Sequence, residues 1–295
     1  MKKFLALMLV LLISVSISAC VSKESSTSPT STPSTSTTQQ STSETSGTSS
    51  VPSETTATQT QTTTTINKAD IINAIEKVEK YGFTVKYSTI LEGNTQITSR
   101  GGFDYSKGEA FWEIISKSGD FITYSNETVW DDSVYYSALV KQDNEIVQKG
   151  EVTSTIEDYF EKVLKGHTEI ATPEEFRQWL FKGPDPIRNP LYYVRDLLTN
   201  ANSVTTIKEG SNYVVTFTFT KEERTSINSV QKVIVTQGTG RLWLQNNLPT
   251  KGEIEITRTT SYEGLEESTT TSNARIEFEI AYTYQSPEWV AEVTG

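Results

Sequence analysis

Between Arg275 and Tyr284 every second residue is apolar: Ile276, Phe278, Ile280, Tyr282 and Tyr284 alternate with Glu277, Glu279 and Thr283. A period of two suits a strand with one wet and one buried face, and it does not suit a helix. The same period opens at "FTVKYSTIL", where Phe83, Val85, Tyr87 and Leu91 alternate with Thr84, Lys86 and Ser88. It continues through "TQITSRGGFDY", "EAFWEIIS", "FITYS", "TVW" and "SVYYSALVK". Turn residues fall between these runs at 92–94, 105–108, 119–120, 126–127 and 131–132. Short strands joined by short turns predict a meander of antiparallel hairpins. A second series begins near residue 203, with "SVTTIKEG", "YVVTFTFTK", "VQKVIVTQ", "GRLWLQNN", "KGEIEITRTTSYEG" and "STTTSNARIEFEIAYTYQ".

Helical periods flank and separate the two series. "NKADIINAIEKVEKYGF" predicts a helix capped by Asn67, with Ile71, Ile72, Ile75 and Val78 as its apolar stripe and Gly82 as its stop. "TSTIEDYFEKVLKG" carries Ile156, Tyr159, Phe160, Val163 and Leu164 and ends at Gly166. "TPEEFRQWLFKG" has Thr172 as cap, Pro173 at the first helical position, and Glu174 and Glu175 in the first turn. Pro184 and Pro186 break the chain, and Asn189-Pro190 starts "LYYVRDLLTNA".

The first 65 residues follow a different logic. Lys2 and Lys3 precede an apolar run, Phe4 to Val15, and small residues lead to Cys20, the single cysteine. This predicts a secretory signal over 1–19, too short for a membrane span. Ile17-Ser18-Ala19-Cys20 resembles the lipobox of prokaryotic lipoproteins, which implies a diacylglyceryl group on Cys20 and cleavage before it. The other reading of the segment is an uncleaved signal anchor. Residues 20–65 are roughly two-thirds Ser and Thr with Pro29, Pro33 and Pro52 interspersed, and too little is apolar to offset chain entropy. They read as a disordered, O-glycosylated stalk that spans about 40 Å as a bare coil. The ordered part is expected over 66–295. The expected location is the extracytoplasmic face of a membrane, held by the acyl chains.

Charge and residue inventory limit the chemistry. The net charge is −11, and without Lys2 and Lys3 the 26 basic residues fall to 24 against 37 acidic ones, near −13. A surface this acidic repels nucleic acid, so no nucleic-acid partner is expected. His167 is the single histidine, which excludes a multi-histidine metal site and leaves an imidazole beside a helix end as the plain reading. Gly101-Gly102 lies inside a strand pattern and reads as a bulge rather than a phosphate loop. Asp131-Asp132 and Glu266-Glu267 fall at turns, where acids are ordinarily just solvated. Asn126-Glu127-Thr128 is the one glycosylation sequon, expected at a hairpin turn with Asn126 as the acceptor. No catalytic residues, metal or cofactor are expected, and the chain reads as a non-enzyme.

The order of helix, meander, helices and second meander resembles the LolA/LppX-type lipoprotein family. The resemblance is carried by Ile71 to Tyr87, by Gly102-Phe103-Asp104-Tyr105 with Ala110-Phe111-Trp112, by "RLWLQNNLPTKGEIEI" at 241–256, and by "YTY" at 282–284 with Pro287. The helical insert at 154–183 is longer than the family pattern. The fold implied is α+β: a strongly curved antiparallel sheet forms an incomplete barrel, with helices covering its concave face. The function implied is binding or carriage of a lipid or other hydrophobic ligand. The partners implied are that ligand, the membrane, and another lipoprotein or membrane protein. A curved sheet of about ten strands has one face that must be filled by its own helices or by something apolar. The cavity residues expected on it are Phe83, Val85 and Tyr87, then Trp112 and Ile114. Tyr213, Val215, Phe217 and Phe219 join them from the second meander, with Ile276, Phe278 and Ile280 from the last strand. The alternative is a surface-exposed structural or interaction domain, or an accessory subunit, whose concave face is filled core.

Overall fold

The alternating runs pair into one antiparallel sheet of eleven strands that curves without closing. The computed structural model describes residues 66–89, 95–165, 170–210, 212–227, 230–263 and 265–295. Cys20, the stalk, the turn at 92–94 and His167 lie outside them. The first meander is β1 (Lys80–Thr89), β2 (Gln96–Asp104), β3 (Glu109–Ser118), β4 (Phe121–Trp130), β5 (Ser133–Gln142) and β6 (Glu145–Thr155). The second is β7 (Ala201–Glu209), β8 (Asn212–Ile227), β9 (Val230–Gln245), β10 (Leu248–Tyr262) and β11 (Leu265–Ala281). The strand order β6-β5-β4-β3-β2-β1-β11-β10-β9-β8-β7 shows how they join. Each meander is local, and one long-range pairing, β1 with β11, fuses them. There Phe83 faces Ile280, Val85 faces Phe278 and Tyr87 faces Ile276. Asp143-Asn144 and Asn246-Asn247 supply two consecutive positive-φ residues each, the backbone that two-residue hairpins need.

The helices are α1 (Lys68–Glu76), α2 (Ile156–Tyr159, continuing as a π turn over Phe160–Leu164), α3 (Pro173–Lys182), α4 (Pro190–Thr199) and α5 (Glu288–Thr294). Their caps follow the sequence signals. Asn67, Thr155, Thr172 and Asn189 each accept a backbone N–H of the first turn, and Pro173 and Pro190 sit just inside. Ile71 and Ile75 of α1 and Leu191, Val194, Leu197 and Leu198 of α4 are all at most 2% exposed. These two helices pack on each other, α1 over β10 and α4 over β8. The Arg195–Glu76 ion pair at 2.6 Å ties their outer sides.

Several expectations change. Helix α1 stops at Glu76, not Gly82; its C-cap is Lys77, and Gly82 is already inside β1, opposite Gly102. The carboxamide and carboxylate at 126–127 form no turn, because "FITYS" and "TVW" are one strand, β4. "VQKVIVTQ" and "GRLWLQNN" are likewise one strand, β9, running straight through Gly238 and Gly240. Two elements were not foreseen: β6, whose mixed polar pattern hides its period, and α5 after Pro287.

Gly101-Gly102 is not a bulge either, since the register of β2 with both neighbours is unbroken there. The two glycines serve the two faces. A Cβ on Gly101 would lie 2.5 Å from the Phe83 ring, and one on Gly102 would lie 2.9 Å from Phe111 and 3.1 Å from Tyr284. The same arrangement recurs in register across the sheet: Phe217 faces Gly240, Phe219 faces Gly238 and Phe278 faces Gly252. At each of these a Cβ would come no further than 2.9 Å from the facing ring. Four phenylalanines thus lie over four glycines on the concave face, where inward side chains crowd as the sheet curls.

Candidate ligand site on the concave face

Register places all twelve expected cavity residues on one face. From β1, Phe83, Val85 and Tyr87 align with Ile280, Phe278 and Ile276 of β11 on one side. On the other side they align with Gly101, Ser99 and Ile97 of β2, and through these with Trp112 and Ile114 of β3. Ile276 aligns with Ile254, then Gly240, then Phe217, which puts Tyr213, Val215 and Phe219 on the same side. Ten of the twelve are buried; Tyr87 and Tyr213 are half-buried. The cover is the chain itself: α1, α4 and the segment 183–190.

That segment is fixed by a polar cluster that reading the sequence missed. Arg188 donates to both oxygens of Glu127, at 2.9 and 2.7 Å, and both residues are under 10% exposed. Asp185 lies 3.6 Å from the same guanidinium and accepts the backbone N–H groups of Ile187 and Arg188. Trp112 Nε1 donates to the Arg188 carbonyl at 2.7 Å, and the Tyr81 hydroxyl donates to Asn189 Oδ1 at 2.7 Å. Asn189 Nδ2 in turn donates to the Phe181 carbonyl at 2.8 Å. Burial by itself would lower the Arg188 pKa, but the Glu127 carboxylate outweighs it and the net shift is upward. Burial, then the neighbouring Tyr105, pushes the Tyr81 hydroxyl up. The signal for Glu127 was its parity: it shares a face with Val129 and lies opposite Trp112, so a lone acid on an apolar face required a buried cation.

Toward the hairpin tips the sheet continues and the cover thins at one rung, beyond which Thr260 and Ile234 on the same face are buried again. Strands β8 to β11 are 15 to 17 residues long, against 9 to 11 for the other strands. On the concave face, Ile254 and Ile276 are fully buried, whereas the next rung, Gly238–Ile256–Ala274, is half-exposed. Beyond it stands the rung Thr236–Arg258–Ser272. The Arg258 Nε–H is buried and finds no hydrogen-bond partner among the described residues. Tyr87 of β1 and Tyr193 of α4 both feel its charge. Burial raises the Tyr87 pKa while Arg258 opposes the rise. Burial and then Tyr87 raise that of Tyr193, again with Arg258 in opposition.

The remaining candidates are dispersed. Asn126 sits in mid-β4 on the convex face between Glu113 and Ser137, partly exposed. Asp131 and Asp132 are at a turn as expected; Arg177 holds the Asp131 carbonyl and the Asp132 carboxylate. Glu266 and Glu267 fall within β11 rather than at a turn. Among the described residues no group of three or more His, Cys, Asp or Glu is placed to hold a metal. A shallow groove of about 380 Å³ opens on the convex face, lined by Thr216, Thr218, Thr239, Arg241, Glu253 and Arg275 among others. The C-terminal segment packs on that face as well, with Trp289 donating to Glu113 at 2.9 Å and its ring edge-on to Phe111.

Neither a family model nor a curated protein matches this chain. A solved structure that it is similar to is a beta-barrel-like protein of the domain of unknown function DUF1849 from Brucella abortus. The likeness covers 70% of this chain and 98% of that one, at 8% identity and a TM-score of 0.23. At that score it assigns neither fold detail nor function.

Proposed function

We propose that this chain is a lipid-anchored extracytoplasmic protein that holds a lipid or other hydrophobic ligand on the concave face of its sheet and performs no catalysis on it. The observation that carries the reading is the half-exposed apolar rung Gly238–Ile256–Ala274, beside half-buried Tyr87, an opening in the concave face between fully buried Ile254 and buried Thr260. An apolar strip continuous with a buried floor offers an acyl chain surface to bury, at about 25 cal/mol per Å². The LolA/LppX-type resemblance supports the same reading, since curved sheets of that type carry hydrophobic cargo. Cys20 is the acylation site, residues 20–65 are the stalk, and Asn126 is a glycan acceptor where a host supplies the transferase. The membrane is then reached through the acyl chains, and a second lipoprotein or membrane protein serves as donor or acceptor.

Native mass spectrometry of the purified protein, before and after organic extraction, tests this together with titration of a fluorescent fatty acid. Co-purified ligand lost on extraction, or saturable probe binding, is expected; the absence of both would sink the reading. Cys20→Ser should move the protein from the membrane to the soluble fraction, and unchanged retention would remove the anchor. The second reading, a packed structural or interaction domain, is favoured by the burial of ten of the twelve concave-face residues, and it expects no saturable binding at all.

A further inference from the structure

We propose that Arg258 seats the anionic head, a phosphate or a carboxylate, of an amphiphile whose chain lies along Ile256 and the rung beside it. The proposal rests on the carrier reading and adds the ligand's chemical class. In β10, Ile254, Ile256 and Arg258 are spaced by two and share the concave face. Moving toward the hairpin tips, that face passes from buried Ile254 through half-exposed Ile256 to the cation. Lys221 stands on the same rung but is held by Asp196 and Glu223, so apolar surface is followed by one cation left over, the pattern of an amphiphile read in reverse.

The charge is unspent. Among the described residues, Arg100, Arg177, Arg188, Arg195, Arg224, Arg241 and Arg275 each reach a carboxylate within ion-pair distance, and Arg258 reaches none. That is unexpected in a chain of net charge −11. The two carboxylates that act on Tyr193 alongside it are already held, Asp196 by Lys221 at 3.0 Å and Asp185 by Arg188. Its Nε–H is buried without a partner among the described residues, and a buried donor left unpaired costs about 1–3 kcal/mol. A guanidinium offers a planar fork to phosphate or carboxylate oxygens, and partial burial strengthens such a pair. Thr236 stands opposite it on β9 and adds a hydroxyl at the same rung, while the Ser272 hydroxyl on β11 donates to the Arg258 carbonyl. Tyr87 and Tyr193, with pKa values raised, keep their phenolic protons and remain donors across the ordinary pH range.

The test uses the full chain bearing Cys20→Ser, so that no attached acyl group competes. Calorimetry compares three probes: myristoyl lysophosphatidylglycerol, monomyristoylglycerol with the same tail and no charge, and inorganic phosphate. The anionic amphiphile should bind at least tenfold tighter than the neutral one. Arg258→Gln should abolish that tenfold difference and leave monomyristoylglycerol binding unchanged, while Arg258→Lys should retain part of it. Inorganic phosphate should show no saturation below millimolar concentration. Phosphate binding as tightly as the anionic amphiphile, and lost in Arg258→Gln, would overturn the lipid source and leave a free-anion site. Equal binding of both amphiphiles by the unsubstituted Arg258 protein would overturn the headgroup seat and leave the carrier reading standing. Binding of neither would overturn both. Should Arg258→Gln fail to fold, the Arg258→Lys affinity ratio decides the matter, because an undiminished or absent preference there overturns the seat.

Discussion

Replacing Gly240 by alanine should destabilise the sheet through one ring. A methyl group on Gly240 would land within the Phe217 ring, which is 2% exposed and pinned beside Phe219 at a centroid distance of 6.0 Å. The ring has no solvent to move into, so the change is overpacking, which costs about 1–3 kcal/mol. In a domain of this size each kcal/mol lowers Tm by roughly 2–4 °C, so Gly240→Ala should lose roughly 2–12 °C. Phe217→Ala removes the ring and should cost about 3–5 kcal/mol on its own. In the double substitution the clash disappears because its partner has gone. The double should therefore fall short of the sum by about 1–3 kcal/mol, the overpacking energy itself. Urea unfolding of the four proteins measures this coupling. Gly108→Ala is the control: Gly108 has φ +67° and nothing near its Cβ position, so its cost of about 1–2 kcal/mol is purely backbone and should add to Phe217→Ala without coupling. Additivity of Gly240→Ala and Phe217→Ala within ~0.5 kcal/mol would refute the pairing of rings with glycines.

Three further outcomes are expected. Arg188→Met should cost about 3–5 kcal/mol in chemical denaturation because it strands the Glu127 carboxylate in the core. Adding Glu127→Leu should recover much of that loss, and a double variant as unstable as the single would show that the pair is not its cause. Asp104 is held below the usual carboxylate range, first by the Ser106 hydroxyl at 2.6 Å and then by the Lys107 backbone. A folded pKa below the unfolded one means stability present above the unfolded pKa and lost as pH falls through the folded one. Ser106→Ala should accordingly shift the acid limb of a Tm-versus-pH profile to higher pH, and an unmoved limb would contradict the assignment. EDTA should leave the Tm unchanged, since no acid or imidazole cluster among the described residues is arranged for a metal; a clear drop would contradict this.

What could be read in advance followed from periodicity, and what could not followed from contacts between distant segments. Alternation placed Phe83, Val85, Ile276 and Phe278 on the buried face, and the caps at Asn67, Thr172 and Asn189 marked three helix starts correctly. Asn126 and Glu127 misled because both residue types are depleted in strands, and local propensity cannot see that Glu127 meets Arg188 sixty-one positions away. Gly238 and Gly240 misled in the same way, since a glycine in a strand pattern normally weakens it, and only the register shows Phe219 and Phe217 lying over them. Gly82 resembled a helix stop because it follows an apolar helical stripe, yet α1 ends six residues earlier at Glu76. Arg258 was hidden in plain alternation: its parity with Ile254 and Ile256 was legible, but its lack of a counter-ion among the described residues emerges only in the folded chain.

The buried floor and the open rung make different demands on a ligand, and energetics separate them. To reach Phe217 or Val215, a chain would have to lift α4, exposing Leu191, Val194, Leu197 and Leu198. Each such side chain returned to water costs about 1.5–3 kcal/mol, roughly 6–12 kcal/mol together. It would also uncover Ile71 and Ile75 of α1. A fourteen-carbon tail gains at most ~0.8 kcal/mol per buried methylene, roughly 10 kcal/mol gross, from which about 4–15 kcal/mol of association cost is subtracted. A single tail therefore cannot displace α4, whereas seating at Ile256 and Ala274 displaces nothing. Amide protons of Val194 to Leu198 should exchange with solvent as slowly when a myristoyl amphiphile saturates the protein as when none is present. Hydrogen-exchange mass spectrometry of the full chain reads this directly. Faster exchange of α4 on binding would place the tail beneath the helix, and the half-exposed rung would then be only the entrance.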